Sequence, residues 1–207
     1  MRTVGHDRMV ITDLERCDFP VIRGWIDPSL FRIFRAPIGD DQLEGLLSKR
    51  SDGRLTDLGL KAVDDTGSAI GFIHVILDWA NDLGHIQQIL VGEPGLRRQG
   101  AGSAMMQHAL GVCFDEHRLH RIQLFVDEGN EPALAFYRKQ GFHTDGFMRE
   151  SRKIGDRFVG WYGLSMLQSE WNKRKGGGQR QAGSDAQKRG LGRSVGPMKN
   201  GHDQRHD

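Results

Sequence analysis

The stretch that most constrains this chain runs from Ile86 to Glu116. Residues 86–91, Ile-Gln-Gln-Ile-Leu-Val, are short, largely apolar and rich in β-branched side chains, the composition of a strand. After them comes the loop Arg97-Arg98-Gln99-Gly100-Ala101-Gly102. Beyond it the pattern changes period: Ala101, Ala104, Met105, His108, Ala109, Val112 and Cys113 recur at helical spacing, which predicts one buried face of a helix over 100–116. A strand that turns through glycines into a helix leaves the first helical amides without intrahelical partners, and the helix dipole adds a partial positive charge there. An anion, above all a phosphate, satisfies both. Gly100 and Gly102 allow close approach of the backbone, while Arg97 and Arg98 add charge. Two nucleotide motifs fit badly. No lysine stands between Gly102 and Ser103, as a phosphate-binding P-loop requires, and the third glycine of a dinucleotide fingerprint is missing.

The rest of the chain places this unit in an α/β order. Residues 9–14 predict a strand, 18–26 and 40–50 helices, and 58–63 and 69–77 two strands around the turn at 64–67. Residues 121–126 predict a further strand. Asn130 to Gln140 predicts a helix with Asn130 as N-cap, Pro132 in its first turn and Gly141 just past its end. Residues 142–148 and 158–166 predict the last two strands, giving β-α-α-β-β-β-α-β-α-β-β.

Charge and composition divide the 207 residues unevenly. The net charge is +2, yet residues 173–207 alone hold nine Lys and Arg against three Asp, so the body before them is mildly acidic. From Gly176 onward large apolar side chains almost vanish, and such a segment cannot offset its ordering entropy. The expected organisation is one domain over 1–172 and a basic, glycine-rich, disordered tail over 173–207. No apolar run reaches the ~18 residues that span a bilayer, and no secretory leader is evident, so a cytoplasmic protein is expected. Two cysteines, Cys17 and Cys113, offer neither a disulfide framework nor metal-ligand spacing, and no metal is expected.

The loop Arg97-Arg98-Gln99-Gly100-Ala101-Gly102 resembles the Gln/Arg-x-x-Gly-x-Gly/Ala signature of the GNAT superfamily of acyl-CoA N-acyltransferases. The segment from Asn130 through Ala133 and Tyr137 to Gly141-Phe142 is similar to that superfamily's second signature, in the same order. The resemblance covers about residues 69–167. The ending from Gly146 to Trp171 is loosely similar to the branch that includes ribosomal-protein N-terminal acetyltransferases. It implies a mixed, mostly antiparallel sheet with helices on both faces and a splayed parallel pair of strands. It also implies transfer of an acetyl group from acetyl-CoA, as co-substrate, to a primary amine such as a protein N-terminus or a small amine.

Carried onto this chain, the resemblance rests the pyrophosphate on the amides of Arg98, Gln99, Gly100, Ala101, Gly102 and Ser103, with Arg97 beside it. It lays the pantetheine arm along the backbone of Leu90 and Val91. Asn130, Phe136 and Lys139 would also meet the cofactor, and Tyr137 would protonate the leaving thiolate. Many members carry a glutamate on the strand before the glycine loop. Here residues 85–90, His-Ile-Gln-Gln-Ile-Leu, contain no carboxylate. His85, Asp82 or water remain as proton acceptors, His85 because its ordinary pKa suits the task. The expected partners are acetyl-CoA and an amine, with no membrane or nucleic acid, and with a homodimer as an open option. Two rivals stay open: a non-catalytic acyl-CoA-binding module, and a nucleic-acid- or ribosome-associated protein acting through its basic tail.

Overall fold

The computed structural model describes residues 9–25, 44, 53–92, 94–97 and 99–176. The chain divides into two units, 1–170 and 171–207, of which the second is described only for the helical residues 171–176. The strands are β1 (Val10–Asp13), β2 (Leu55–Val63), β3 (Ala69–Asp78), β4 (Leu83–Val91), β5 (Arg121–Asp127), β6 (His143–Ile154) and β7 (Arg157–Leu167). The helices are α1 (Phe19–Trp25), α2 (Ala101–Gly111), α3 (Glu131–Gln140) and α4 (168–176). A short 3₁₀ turn precedes α1, and a π-helical turn, Val112–Glu116, extends α2. Among the described residues no helix is long and apolar enough to cross a membrane.

The seven strands form one sheet in the order β1-β2-β3-β4-β5-β7-β6. Every neighbouring pair is antiparallel except β4 and β5. Successive residues of β3 show how the helices cover it. Phe72 clusters with Phe19 and Ile22 of α1, whereas a Cβ added to Gly71 would meet Met105 of α2 at 2.8 Å. Neighbouring side chains of a strand point to opposite faces, so α1 and α2 cover opposite faces. The core includes Ile73, Val75 and Leu77 on β3, Ile122 and Leu124 on β5, and Leu164 and Met166 on β7.

One irregularity shapes the centre. His74 pairs with Gln88 but Val75 pairs with Ile86, so Gln87 is an extra residue on β4. A bulge bends its strand and increases the local twist. On the other side, β4 pairs with β5 only through Leu83–Arg121, Gly84–Ile122 and His85–Gln123. Beyond His85 the two parallel strands separate.

Most expected elements lie within a few residues of their predicted places. β2 starts at Leu55, β4 starts at Leu83, and β6 runs on to Ile154. The buried face of α2 is wider than expected: Met106 and Leu110 are fully buried, while His108 is exposed. The helix packs its apolar methionine and leucine against the sheet and turns the polar ring outward. Of the expected helix over 40–50 only Glu44 is described; it is helical and its carboxylate meets Arg16 at 2.6 Å. Residues 173–176 continue α4, while 177–207 of the expected tail lie outside the described residues.

Lys61 carries a buried ionic clamp. Its ammonium donates to both oxygens of Asp18, at 3.0 and 2.8 Å, and to Glu15 at 2.9 Å. Glu15, Cys17 and Asp18 are the one group of possible metal-ligating side chains among the described residues, and Lys61 places its own cation beside two of them.

Candidate active site

The separation of β4 from β5 opens a cavity of about 740 Å³. One wall is β4 from His85 to Val91, and the other is the end of β5 with α3. The backbone of β4 beyond His85 therefore borders the cavity with no strand paired to it on that side.

At one end lie β4's last residues and the start of α2. Gly100, at φ +94°, is the N-cap, and no side chain caps the first amides. Positive φ suits glycine, and the turn it makes aims the helix N-terminus into the cleft. Leu90, Val91, Arg97, Gly100, Gly102 and Ser103 line the cavity here, and Lys139 reaches it from α3. Arg97 also donates to the Val91 carbonyl at 3.5 Å. The Ser103 hydroxyl accepts from buried Gln140, which accepts in turn from Gln107, so α2 and α3 are joined behind the loop. Gln99 and Ala101 do not line the cavity. Gln99 donates to the Gly95 carbonyl at 2.6 Å and folds the loop on itself, and Ala101 is buried in the first turn. Arg98 lies outside the described residues.

Along the middle, α3 presents Asn130, Phe136 and Tyr137. Asn130 serves as N-cap, accepting from the Ala133 amide at 3.3 Å, and lines the cavity as well. Tyr137 lies edge-on to both Phe136 and Phe142. Burial pushes its phenol well above the ordinary pKa, so it stays protonated and able to donate at neutral pH.

The far end is built by cross-strand neighbours. His85 meets Phe125 edge-on at 5.3 Å, and Phe125 stacks on Trp161 at 5.4 Å. Asp127 and Trp161 are register partners on β5 and β7, and the Trp161 indole donates to Asp127 Oδ1 at 2.6 Å. Asp127 Oδ2 lies 3.1 Å from Arg152 Nη2 as an ion pair without the geometry of a hydrogen bond. Burial raises the Asp127 pKa, while Arg152 and the indole pull it down by less.

His85 lines the cavity, whereas Asp82 belongs to the preceding turn, where its carbonyl accepts from the His120 and Arg121 amides. Sequence reasoning missed Phe125, Asp127, Arg152 and Trp161. Phe125 and Asp127 are legible in hindsight: alternation along β5 puts them on one face, just before Asn130. Arg152 and Trp161 depend on pairing far along the chain.

The sequence matches the acetyltransferase (GNAT) family over residues 11–142. It is similar to a mycothiol acetyltransferase of Salinispora tropica, 32% identical over 85 residues, which is 40% of this chain and 28% of that protein's length. Among solved structures it is similar to a spermidine N-acetyltransferase from Vibrio cholerae in complex with CoA and spermine. That likeness has TM-score 0.69 and 24% identity, over 80% of this chain and 99% of that one. Mutant forms of the spermidine/spermine N-acetyltransferase of the same organism give TM-score 0.66 and 25% identity, over 81% and 99%.

Proposed function

Because the chain belongs to the acetyltransferase (GNAT) family, we propose that it moves an acetyl group from acetyl-CoA directly to a primary amine. The observation that carries this reading is one cavity joining an uncapped helix N-terminus to a protonated phenol along an open strand edge. The α2 amides, Arg97 and Lys139 suit the phosphates of acetyl-CoA. The free edge of β4 at Leu90 and Val91 suits an amide-bearing chain such as pantetheine, which can pair with it as a strand would. Phe136 and Gly102 face each other across that path, 3.8 Å from a Cβ added at the glycine.

Acetyl transfer needs a neutral amine, a polarised thioester and a proton for the leaving sulfur. Tyr137 holds the last of these. Its hydroxyl loses little by staying neutral in the ground state and gains by donating as negative charge develops on sulfur. The reading places catalysis in residues 1–172, acting in the cytoplasm, and gives the basic segment 173–207 no part in it.

Thiol release from acetyl-CoA across a panel of amines tests the proposal, with binding followed by calorimetry in EDTA. Tyr137→Phe keeps the ring and removes the hydroxyl. Turnover should fall about 10²–10³-fold, roughly the worth of one general acid, while acetyl-CoA affinity and Tm stay near wild type. Acetyl-CoA binding with no thiol release from any amine would identify a binding module instead. No binding at millimolar acetyl-CoA would remove the proposal altogether. Deletion of residues 177–207 should leave thiol release unchanged.

A further inference from the structure

The far end of the cavity holds two opposite charges side by side, and their construction is unusual for a structural ion pair. Asp127 is 9% exposed and the Arg152 side chain 12%, yet both line the cavity. A buried pair retained for stability has its lone pairs satisfied, because desolvation otherwise outweighs the attraction. Here Oδ1 is held by the Trp161 indole, but Oδ2 meets Arg152 without a hydrogen bond.

A second observation, independent of charge, concerns how Arg152 arrives. On β6 and β7, Met148 pairs with Trp161 and Arg152 with Val159. Four steps along β6 thus match two along β7, and Arg149, Glu150 and Ser151 bulge opposite Gly160. Glu150 adopts φ +50°, and the Ser151 hydroxyl closes the bulge on the Met148 carbonyl at 2.7 Å. Gly160 is required, since a Cβ there would lie 2.9 Å from the Met148 carbonyl oxygen. Such bulges re-aim side chains beside active sites. This one sets the guanidinium against Asp127.

We infer that the acceptor is a zwitterion with an apolar side chain, of the free α-amino acid class, whose amine meets Asp127 and whose carboxylate meets Arg152. The inference rests on the acetyltransferase reading and narrows its substrate. An incoming zwitterion brings one charge of each sign to a carboxylate and a guanidinium already side by side, so the net charge of the site is unchanged. Phe125, 39% exposed, and Trp161 supply an apolar wall for the side chain. A polyamine fits less well. Among the described residues lining the cavity Asp127 is the one carboxylate, against Arg97, Lys139 and Arg152, so several ammonium groups would share one partner already facing a guanidinium.

The chemistry balances with the groups at hand. The ammonium gives one proton to Asp127, whose burial makes it a better acceptor than an exposed carboxylate. The freed lone pair forms the C–N bond at the thioester carbonyl, the C–S bond breaks, and the sulfur takes the Tyr137 proton. The remaining surplus proton on nitrogen returns to the Tyr137 oxygen. Asp127 releases its proton to water as the amide departs.

Thiol release should be measured with free apolar α-amino acids, their amides, phenethylamine and spermidine, each beside an acetyl-CoA titration. Phenylalanine should exceed phenylalaninamide and phenethylamine in kcat/KM by roughly 10–100-fold, the worth of a charged hydrogen bond. Arg152→Gln should erase that preference and Asp127→Asn should lower kcat for all amines, with acetyl-CoA affinity unchanged in both as proof of folding. Calorimetry of phenylalanine into the CoA-saturated protein should show binding that Arg152→Gln removes. Preference for spermidine, a preference that survives Arg152→Gln, or transfer to none of the amino acids would overturn the inference while leaving the acetyltransferase reading intact. Failure to bind acetyl-CoA would instead sink that underlying reading.

Discussion

Asp18 and Asp127 are buried to nearly the same extent, 8% and 9% exposed, and each faces a cation. There the likeness ends. Asp18 takes Lys61 on both oxygens and the Glu15 amide at 2.8 Å, so both of its oxygens are bonded from within the chain. Asp127 borders open space and has one short partner, the indole. Equal burial therefore describes two different objects. The first is bonded from within the chain; the second lines the cavity and buries an oxygen that accepts no hydrogen bond.

Removing one partner from each pair should separate them most sharply. Lys61→Ala leaves Asp18 buried and unpaired, and should cost about 3–5 kcal/mol with acetyl-CoA affinity unchanged in the fraction that folds. Chemical denaturation measures this, and a loss below about 1 kcal/mol would break the comparison. Lys61 also sets an alkaline limit. Desolvation lowers its pKa, but the bonds to Asp18 and Glu15 outweigh that and raise it above 10.5. Its contribution should be complete below that ordinary value and lost as pH rises through the raised one, a limb that Lys61→Met abolishes.

The glycine loop gives a smaller test. Gly100→Ala places a Cβ at φ +94° and should cost about 1–2 kcal/mol in stability. Gly102→Val should spare Tm and weaken acetyl-CoA, since added atoms there meet Val91 and Phe136 only at ordinary contact distance, 3.6–3.8 Å for the first carbon. The reverse order of damage would make the loop merely structural. Asp127→Asn should change stability least. The folded state holds the Asp127 proton more tightly than the unfolded chain does, so ionisation subtracts stability as pH rises through the raised pKa. The variant should thus gain on wild type as pH rises from the ordinary carboxylate value of 3.8 through the raised one, and hold that gain above it; a growing deficit there would place Asp127 with Asp18.

What can be read from the sequence follows how each end of the cavity is made. The end proposed for the phosphates uses backbone, and a backbone site needs particular residues at fixed spacing: Gly100 at positive φ, Asn130 as cap and Gly141 at φ +98° are all local demands. The end proposed for the acceptor uses side chains brought together by register. Asp127, Trp161 and Arg152 share a face only because β5, β7 and β6 pair as they do, and the bulges at Asp145 and at 149–151 cannot be counted from one strand alone. The missing glutamate of β4 is visible as an absence, whereas the carboxylate that faces the cavity from the neighbouring strand is not. On α2, spacing alone ranks His108 with the buried residues; Met106 and Leu110 displace it because apolar volume against the sheet outweighs regular periodicity.

The bulge opposite Gly160 contains two surplus residues, and that parity carries an evolutionary consequence. Side chains alternate along a strand with period two, so inserting or deleting a pair leaves every later residue on its own face, while a single residue would invert them all. Lineages can therefore lengthen or shorten this hairpin by pairs, moving the guanidinium toward or away from the carboxylate, without disturbing the sheet that holds the cofactor end. On the proposed reading of this site, acceptor choice would be a heritable length, open to drift in steps of two, while the proposed donor end would stay fixed by the glycines on the other side.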